Sequence, residues 1–262
     1  MFRVVEADYG DVEKSIPVIS PSFVFSVLNK MIPGFVYRDL SNEGTFLIGT
    51  FSGIFYVMGE EANGKFKEEL FSLYHDRKKE QSRFTLFSSS EKWDEALDGL
   101  FENEEMVCRY NRYAFAFNKL KNLSNSNRME LPKGFTLKKI NLENIHQSTE
   151  FNEEYYEKYW GSVSNFIENG FGYCILHDDT LVSECTTIFR AEKSAEMDIV
   201  TKNEWKGKGL GKVTAQSFIN HCIEKNITPR WDCSVGNPAS ISMANTIGFE
   251  SPLRYSVFAK TL

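Results

Sequence analysis

No apolar run in this 262-residue chain approaches the roughly 20 residues needed to cross a bilayer. The residues after Met1 also lack the charged, apolar and small-residue succession of a secretory signal, so a cytoplasmic protein is expected. Cysteine is scarce. Cys108, Cys174, Cys185, Cys222 and Cys233 are odd in number and form no Cys-x-x-Cys pair, which excludes a disulfide framework and reads as small buried apolar residues in a reducing compartment. The histidines, His75, His146, His177 and His221, are equally scattered, and no metal site is expected. Positive charge is not in excess either. A formal net charge of −6 argues against a nucleic-acid partner, because phosphate backbones demand a broad basic surface.

What is present is the composition of a globular chain, 42% hydrophobic and 25% charged, and its length exceeds that of a typical single domain. Two lobes are therefore expected. In the first half, helical stripes are predicted over 20–33, from Phe66 to Lys79 and around Trp93, Leu97 and Leu100. A hairpin is predicted between Gly44 and Gly59, broken at Ser52-Gly53, with further strands at RFTLFSS and MVCRYNRYAFAFN. Residues 121–134, rich in Ser and Asn, read as a linker between a domain over 1–120 and another over 135–262.

The second half is organised around Ala195–Gln216, AEMDIVTKNEWKGKGLGKVTAQ. A strand up to Thr201 leads into a polar turn, and the glycines at 207, 209 and 211 open a helix whose apolar face is Ala215, Phe218, Ile219, Cys222 and Ile223. A helix start offers unpaired N–H groups and the positive end of a dipole, and glycines let a phosphate approach them. Lys206, Lys208 and Lys212 add charge to that cradle. A nucleotide-binding P-loop is excluded because Lys206 and Val213 stand where it needs Gly and Ser or Thr. The dinucleotide fingerprint fails as well, with Lys212 in place of its third glycine. Downstream, Asn237-Pro238 suits a helix start and Gly248-Phe249 its stop.

Lys206-Gly207-Lys208-Gly209-Leu210-Gly211 resembles the Arg/Gln-x-x-Gly-x-Gly/Ala signature of the GNAT acetyltransferases, with lysine in the first place. The later strand, Asn, short helix and Gly-Phe resemble the ending of the same fold. Trp160-Gly161-Ser162, Gly170-Phe171-Gly172, Asp198-Ile199-Val200-Thr201 and Trp231-Asp232-Cys233 look like segments of the subgroup that includes zwittermicin-resistance-type enzymes, and the resemblance covers residues 135 to 260. It implies an α/β (α+β) fold with a mixed central sheet flanked by helices. The first half repeats the order strand, helix, strand, helix, strand, so the N-terminal lobe is expected to be a degenerate copy. Its turn, EEANGKFKEE, has too few glycines and too many acids to hold a pyrophosphate.

The resemblance further implies that acetyl-CoA is the co-substrate, held by Ile199, Val200, Thr201, Lys206, Gly207, Lys208, Gly209, Leu210, Gly211, Lys212 and Asn237. It also implies a small-molecule amine acceptor that attacks directly in a ternary complex. Tyr155, Tyr156, Tyr159 and Trp160 fall where that family builds its acceptor wall, although aromatics at such helical spacing more often pack a core. Proton transfer needs an acid and a base. The family's tyrosine acid falls at Ala244, leaving Ser240, Cys233, Asp232 and Tyr255 as protic alternatives. Glu196 and Asp198 share one strand face and either serve as base, bind a cationic acceptor or face solvent. A non-catalytic acyl-CoA-binding module is the competing reading.

Overall fold

Residues 1–41, 44–125 and 131–260 are described by the computed structural model, and they divide into two units. The first comprises Met1–Tyr113 with Arg254–Leu262, and the second Ala114–Leu253.

The N-terminal unit holds β1 (Phe2–Arg3), α1 (Tyr9–Ser15), α2 (Ser22–Leu28), β2 (Gly34–Arg38), β3 (Phe46–Thr50), β4 (Ile54–Met58), α3 (Gly64–Lys79), β5 (Thr85–Ser88), α4 (Glu91–Leu100) and the start of β6 (Val107–Phe117). Strands β1 to β4 pair antiparallel in sequence, and α3 carries the chain across to β5, parallel to β4. The helix stripes expected from the sequence form the core here. Phe66, Leu70 and Tyr74 of α3 meet Trp93 and Leu97 of α4 over Phe55, Val57 and Leu86 of the sheet. The Ser52-Gly53 turn closes the β3–β4 hairpin with Gly53 at φ +86°, where a Cβ would strike the Arg83 carbonyl.

The second unit continues with α5 (Lys119–Asn125), β7 (Phe135–Lys139), α6 (Leu142–Gln147), α7 (Glu153–Trp160), α8 (Val163–Asn169), β8 (Gly172–His177), β9 (Thr180–Arg190), β10 (Ser194–Thr201), α9 (Leu210–Glu224), β11 (Thr228–Ser234), α10 (Pro238–Thr246) and the start of β12 (Phe249–Lys260). Strands β7 to β10 form an antiparallel meander, and α9 crosses to β11, which is parallel to β10. Asp178 and Asp179, at φ 46° and 61°, make the tight turn between β8 and β9, a conformation that aspartate tolerates better than most residues. An antiparallel meander followed by one parallel crossover thus occurs in both units, as the repeated order of elements predicts.

The division of the chain differs from the one expected at 120 and 135. The last strand returns to the N-terminal unit, where Val257, Phe258 and Ala259 pair with Phe87, Leu86 and Thr85 of β5. The segment expected to be a linker over 121–134 begins as helix α5. Asn122 explains why: it is 1% exposed, donates to the Ile247 carbonyl at 2.7 Å and exchanges hydrogen bonds with Gln216. Residues 126–130 of that segment lie outside the described residues. Among the described residues no helix is long and apolar enough to cross a membrane, and no cluster of His, Cys, Asp and Glu could hold a metal ion.

Candidate active site

The polar turn after β10 is pinned by the Lys202 amide, which donates to the Val182 carbonyl at 3.0 Å. A 3-10 turn, Asn203–Trp205, follows, and the Trp205 ring packs edge-on to Phe135 at 5.3 Å and against His177 at 4.6 Å. The Lys208 ammonium lies 4.2 Å from the Trp205 ring centroid, a cation–π contact that holds its stem over the turn. Gly207 and Gly209 then take φ of +80° and +77°, the left-handed region that costs an L-residue roughly 1–2 kcal/mol. A Cβ on either would meet nothing within 4 Å, so these two are glycines for conformation and for open approach, not for packing. Gly211 is different. It is buried, and its Cβ would come 3.0 Å from Thr201 Oγ1 and 3.4 Å from Met243 Cε, which makes it the close contact between α9 and β10.

Gly209 is also the residue that begins α9, and no side chain caps that start. The first amides of a 15-residue helix therefore face the turn with its dipole behind them, beside the exposed Lys206 and Lys208 and the half-buried Lys212. The corresponding helix of the N-terminal unit is closed. The Asn63 side chain accepts the Phe66 amide at 3.1 Å and donates to the Asp39 carboxylate, so an acid stands where an anion would have to enter.

Next to the turn, the β10–β11 ladder covers only Ser194↔Thr228, Ala195↔Pro229 and Glu196↔Arg230. Beyond Glu196 the two strands continue to Thr201 and Ser234 without pairing, and the sheet opens there. Alternation sends Ile199 and Thr201 towards α9, where both lie near Gly211, and Asp198 and Val200 towards α7. Thr201 Oγ1 is fixed at 2.8 Å from Ser183 Oγ. On the α7 side the Tyr155 hydroxyl donates to Asp198 Oδ2 at 3.0 Å, and the Ile199 amide donates to Asp198 Oδ1 at 2.9 Å. Burial, then the Asp198 charge, raise the Tyr155 phenol well above its ordinary range, so it stays a donor. The four aromatics expected to form a wall divide. Tyr156 and Trp160 are fully buried, with the Tyr156 hydroxyl 2.9 Å from Thr186 Oγ1 and the Trp160 indole donating to the Thr187 carbonyl at 3.0 Å. Tyr155 and Tyr159 stay partly exposed, 4.8 Å apart, with Phe189 packed edge-on against Tyr159.

The other expected groups do not converge on Asp198. Glu196 sits across from Arg230, whose guanidinium burial pulls down and the Glu196 charge pushes back up. Ser240 Oγ accepts the Trp231 indole at 3.1 Å, and Asn237 Oδ1 caps α10 by accepting the Ser240 amide at 3.0 Å. Of the alternative acids, Cys233 is buried beside Trp231 in β11, and Tyr255 belongs to the N-terminal unit, stacked on Phe87. Ala244 is 0% exposed, so a packed core position takes the place of the acid.

One carboxyl escaped the sequence reading. Glu184, 5% exposed on β9, pairs across the strands with Val200, while Thr186 pairs with Asp198. Glu184 and Asp198 are thus diagonal neighbours on one face, about 7 Å apart in such a sheet. Burial pushes the Glu184 carboxyl up to about 7, against a hydrogen bond of 2.9 Å from the Ser148 hydroxyl. The available signal was that Glu184 is the sole charged residue between Leu181 and Phe189.

Comparison with known proteins shows what the chain as a whole is similar to. The family model described as GNAT acetyltransferase matches residues 18–258. A Bacillus subtilis (strain 168) protein described as the uncharacterised N-acetyltransferase YdfB is 41% identical over 239 residues, which is 91% of this chain and 90% of that protein. Among solved structures, a GCN5-related N-acetyltransferase-like protein from Streptococcus suis superposes with a TM-score of 0.74 at 19% identity, covering 97% of this chain and 99% of that one. A tandem GNAT protein from the clavulanic acid biosynthesis pathway gives 0.64 at 12% identity, covering 99% and 97%. These relations set aside the non-catalytic reading, and the chain belongs to the GNAT acetyltransferase family, as an acyltransferase.

Proposed function

We propose that this acyltransferase moves an acetyl group from acetyl-CoA to the amine of a small cationic molecule, by direct attack while both substrates are bound. The observation that carries this reading is the pair of left-handed glycines, open to approach, at the uncapped start of α9. Amides of Gly207 to Lys212, with the ammonium groups of Lys206, Lys208 and Lys212, would hold the pyrophosphate. Backbone groups of Ile199, Val200 and Thr201, on the unpaired edge of β10, would hold the pantetheine arm. When bound, acetyl-CoA supplies an activated thioester at the opening between β10 and β11.

The chain's own residues do the rest. Tyr155 and Tyr159 give a cation an aromatic surface, and Asp198, its two oxygens fixed by the Tyr155 hydroxyl and the Ile199 amide, gives it a counter-charge. Among Glu196, Asp198 and Ser240, Asp198 is the one that this wall presents to the acceptor. Glu196 is opposed by Arg230, and Ser240 is engaged by Trp231. Titration calorimetry with acetyl-CoA, followed by thiol release on adding primary amines, tests the reading. Binding followed by amine-dependent release is expected; no binding at millimolar acetyl-CoA overturns it.

A further inference from the structure

The buried acids of the N-terminal unit are accounted for by their partners. Asp94 is gripped by Arg109 and by the hydroxyls of Ser88 and Ser256, and Asp39 by Ser41 and Asn63. Glu184 has no such explanation. Among the described residues no basic group forms an ion pair with it, and one hydroxyl, from Ser148, is its hydrogen-bond donor. A carboxyl so placed is costly for the fold, and such a cost is characteristic of sites of chemistry.

We propose that Glu184 takes the proton from the acceptor's ammonium, while Asp198 is the carboxylate that holds that ammonium. The assignment rests on the amine-acetylation reading above and deepens it. The two carboxyls lie diagonally on the face of β9 and β10 that α7 covers, Asp198 at the partly exposed position and Glu184 one step deeper. Their surroundings suit different tasks. Asp198 has both oxygens tied by N–H and O–H donors, which stabilise its charge. Glu184 is faced by Ser148 beyond α6, by Tyr156 from α7 and by Cys174 from β8, all neutral, with Lys202 and Glu150 acting on it from a distance in opposite senses. Its carboxyl titrates near 7, which matches a base working at neutral pH.

The step balances. An N–H bond of the ammonium breaks and an O–H bond forms on Glu184, leaving a neutral amine and a neutral acid. The amine nitrogen then forms the C–N bond as the thioester C–S bond breaks, its second proton passes to the sulfur, and Glu184 returns its proton to water.

The test is a pH profile of kcat/KM for the full chain with acetyl-CoA, using whichever amine of a panel of aliphatic and aromatic primary amines releases thiol. In the wild type the acidic limb should fall near pH 7. In Glu184→Gln it should move up towards the amine's own pKa, with kcat at pH 7 lower by about 10²–10³-fold and acetyl-CoA affinity unchanged. Asp198→Asn should instead raise the acceptor KM. Should Glu184→Gln fail to fold, Ser148→Ala removes a hydrogen bond to the charged form and should shift the limb upward by a fraction of a unit. A limb that stays near 7 in Glu184→Gln, or that coincides with the wild type's in Ser148→Ala where that variant is the one used, overturns the assignment and leaves the acetylation reading standing. A wild type that binds acetyl-CoA but releases thiol with no amine overturns that reading, and the assignment with it.

Discussion

At Gly209 a side chain would be strained without being crowded, and this separates two effects that substitutions usually mix. Gly209→Val should cost about 1–2 kcal/mol of stability through its left-handed φ of +77°, and should abolish acetyl-CoA binding because a branched chain would occupy the open approach. Gly209→Asn tolerates that φ better, so it should fold as the wild type while still binding weakly. Calorimetry on both variants decides, and normal binding by Gly209→Val would remove the phosphate assignment. Glu184 makes a second residue-level expectation. Its folded-state pKa of about 7 lies above the ordinary 4.5, so its burial penalty is absent below pH 4.5, grows between 4.5 and 7, and is full above 7. That difference amounts to about 3 kcal/mol at most. Glu184→Gln should therefore melt higher than the wild type at pH 8 and equally at pH 4, and a lower melting temperature at pH 8 would contradict the buried charge. Glycines were legible because their conformational role depends on neighbours in sequence. The role of Glu184 was not, because it depends on Ser148, Tyr156 and Cys174, brought from three other elements.

Helix α7 shows how far an element can be read. Its aromatic spacing marked a helix correctly, yet could not say which aromatics face the sheet. That choice is made by Thr186 and the Thr187 carbonyl, which accept or share hydrogen bonds with Tyr156 and Trp160 and draw both inward. Trp160→Ala should cost about 3–5 kcal/mol as a cavity opens between Phe166 and β9. Tyr159→Ala, at a partly exposed position, should leave the melting temperature within about 2 °C, a surface-substitution scale, and raise the acceptor KM. If Tyr159→Ala unfolds the protein instead, the wall reading of α7 is wrong. The helix starts follow the same logic. The glycines and lysines of one turn and the acids of the other set the two units apart in the sequence, whereas the cap that Asn63 gives α3 emerges only in the structure.

At the scale of the whole chain, what stayed hidden was the destination of the last strand. Local pattern identified β12, but a strand's partner is set by contacts far away in sequence, and Phe258 pairs with Leu86 of β5. Phe258 is 2% exposed in a core built from Phe84, Trp93, Leu97 and Phe101, and the Arg109 guanidinium lies 5.7 Å from its ring. The consequence runs against the order of the sequence. Phe258→Ala, close to the C-terminal end, should destabilise the N-terminal unit by about 3–5 kcal/mol. Hydrogen exchange localises such a loss, since amides that open only on global unfolding speed up tenfold for each 1.4 kcal/mol. Amides of β4, β5 and α4 should accordingly exchange about two to three and a half orders of magnitude faster in the variant. A domain spanning 135–262 would put the loss elsewhere, in the meander from β7 to β10. Faster exchange confined to that meander, with β5 unchanged, would show that the last strand belongs with the second unit after all.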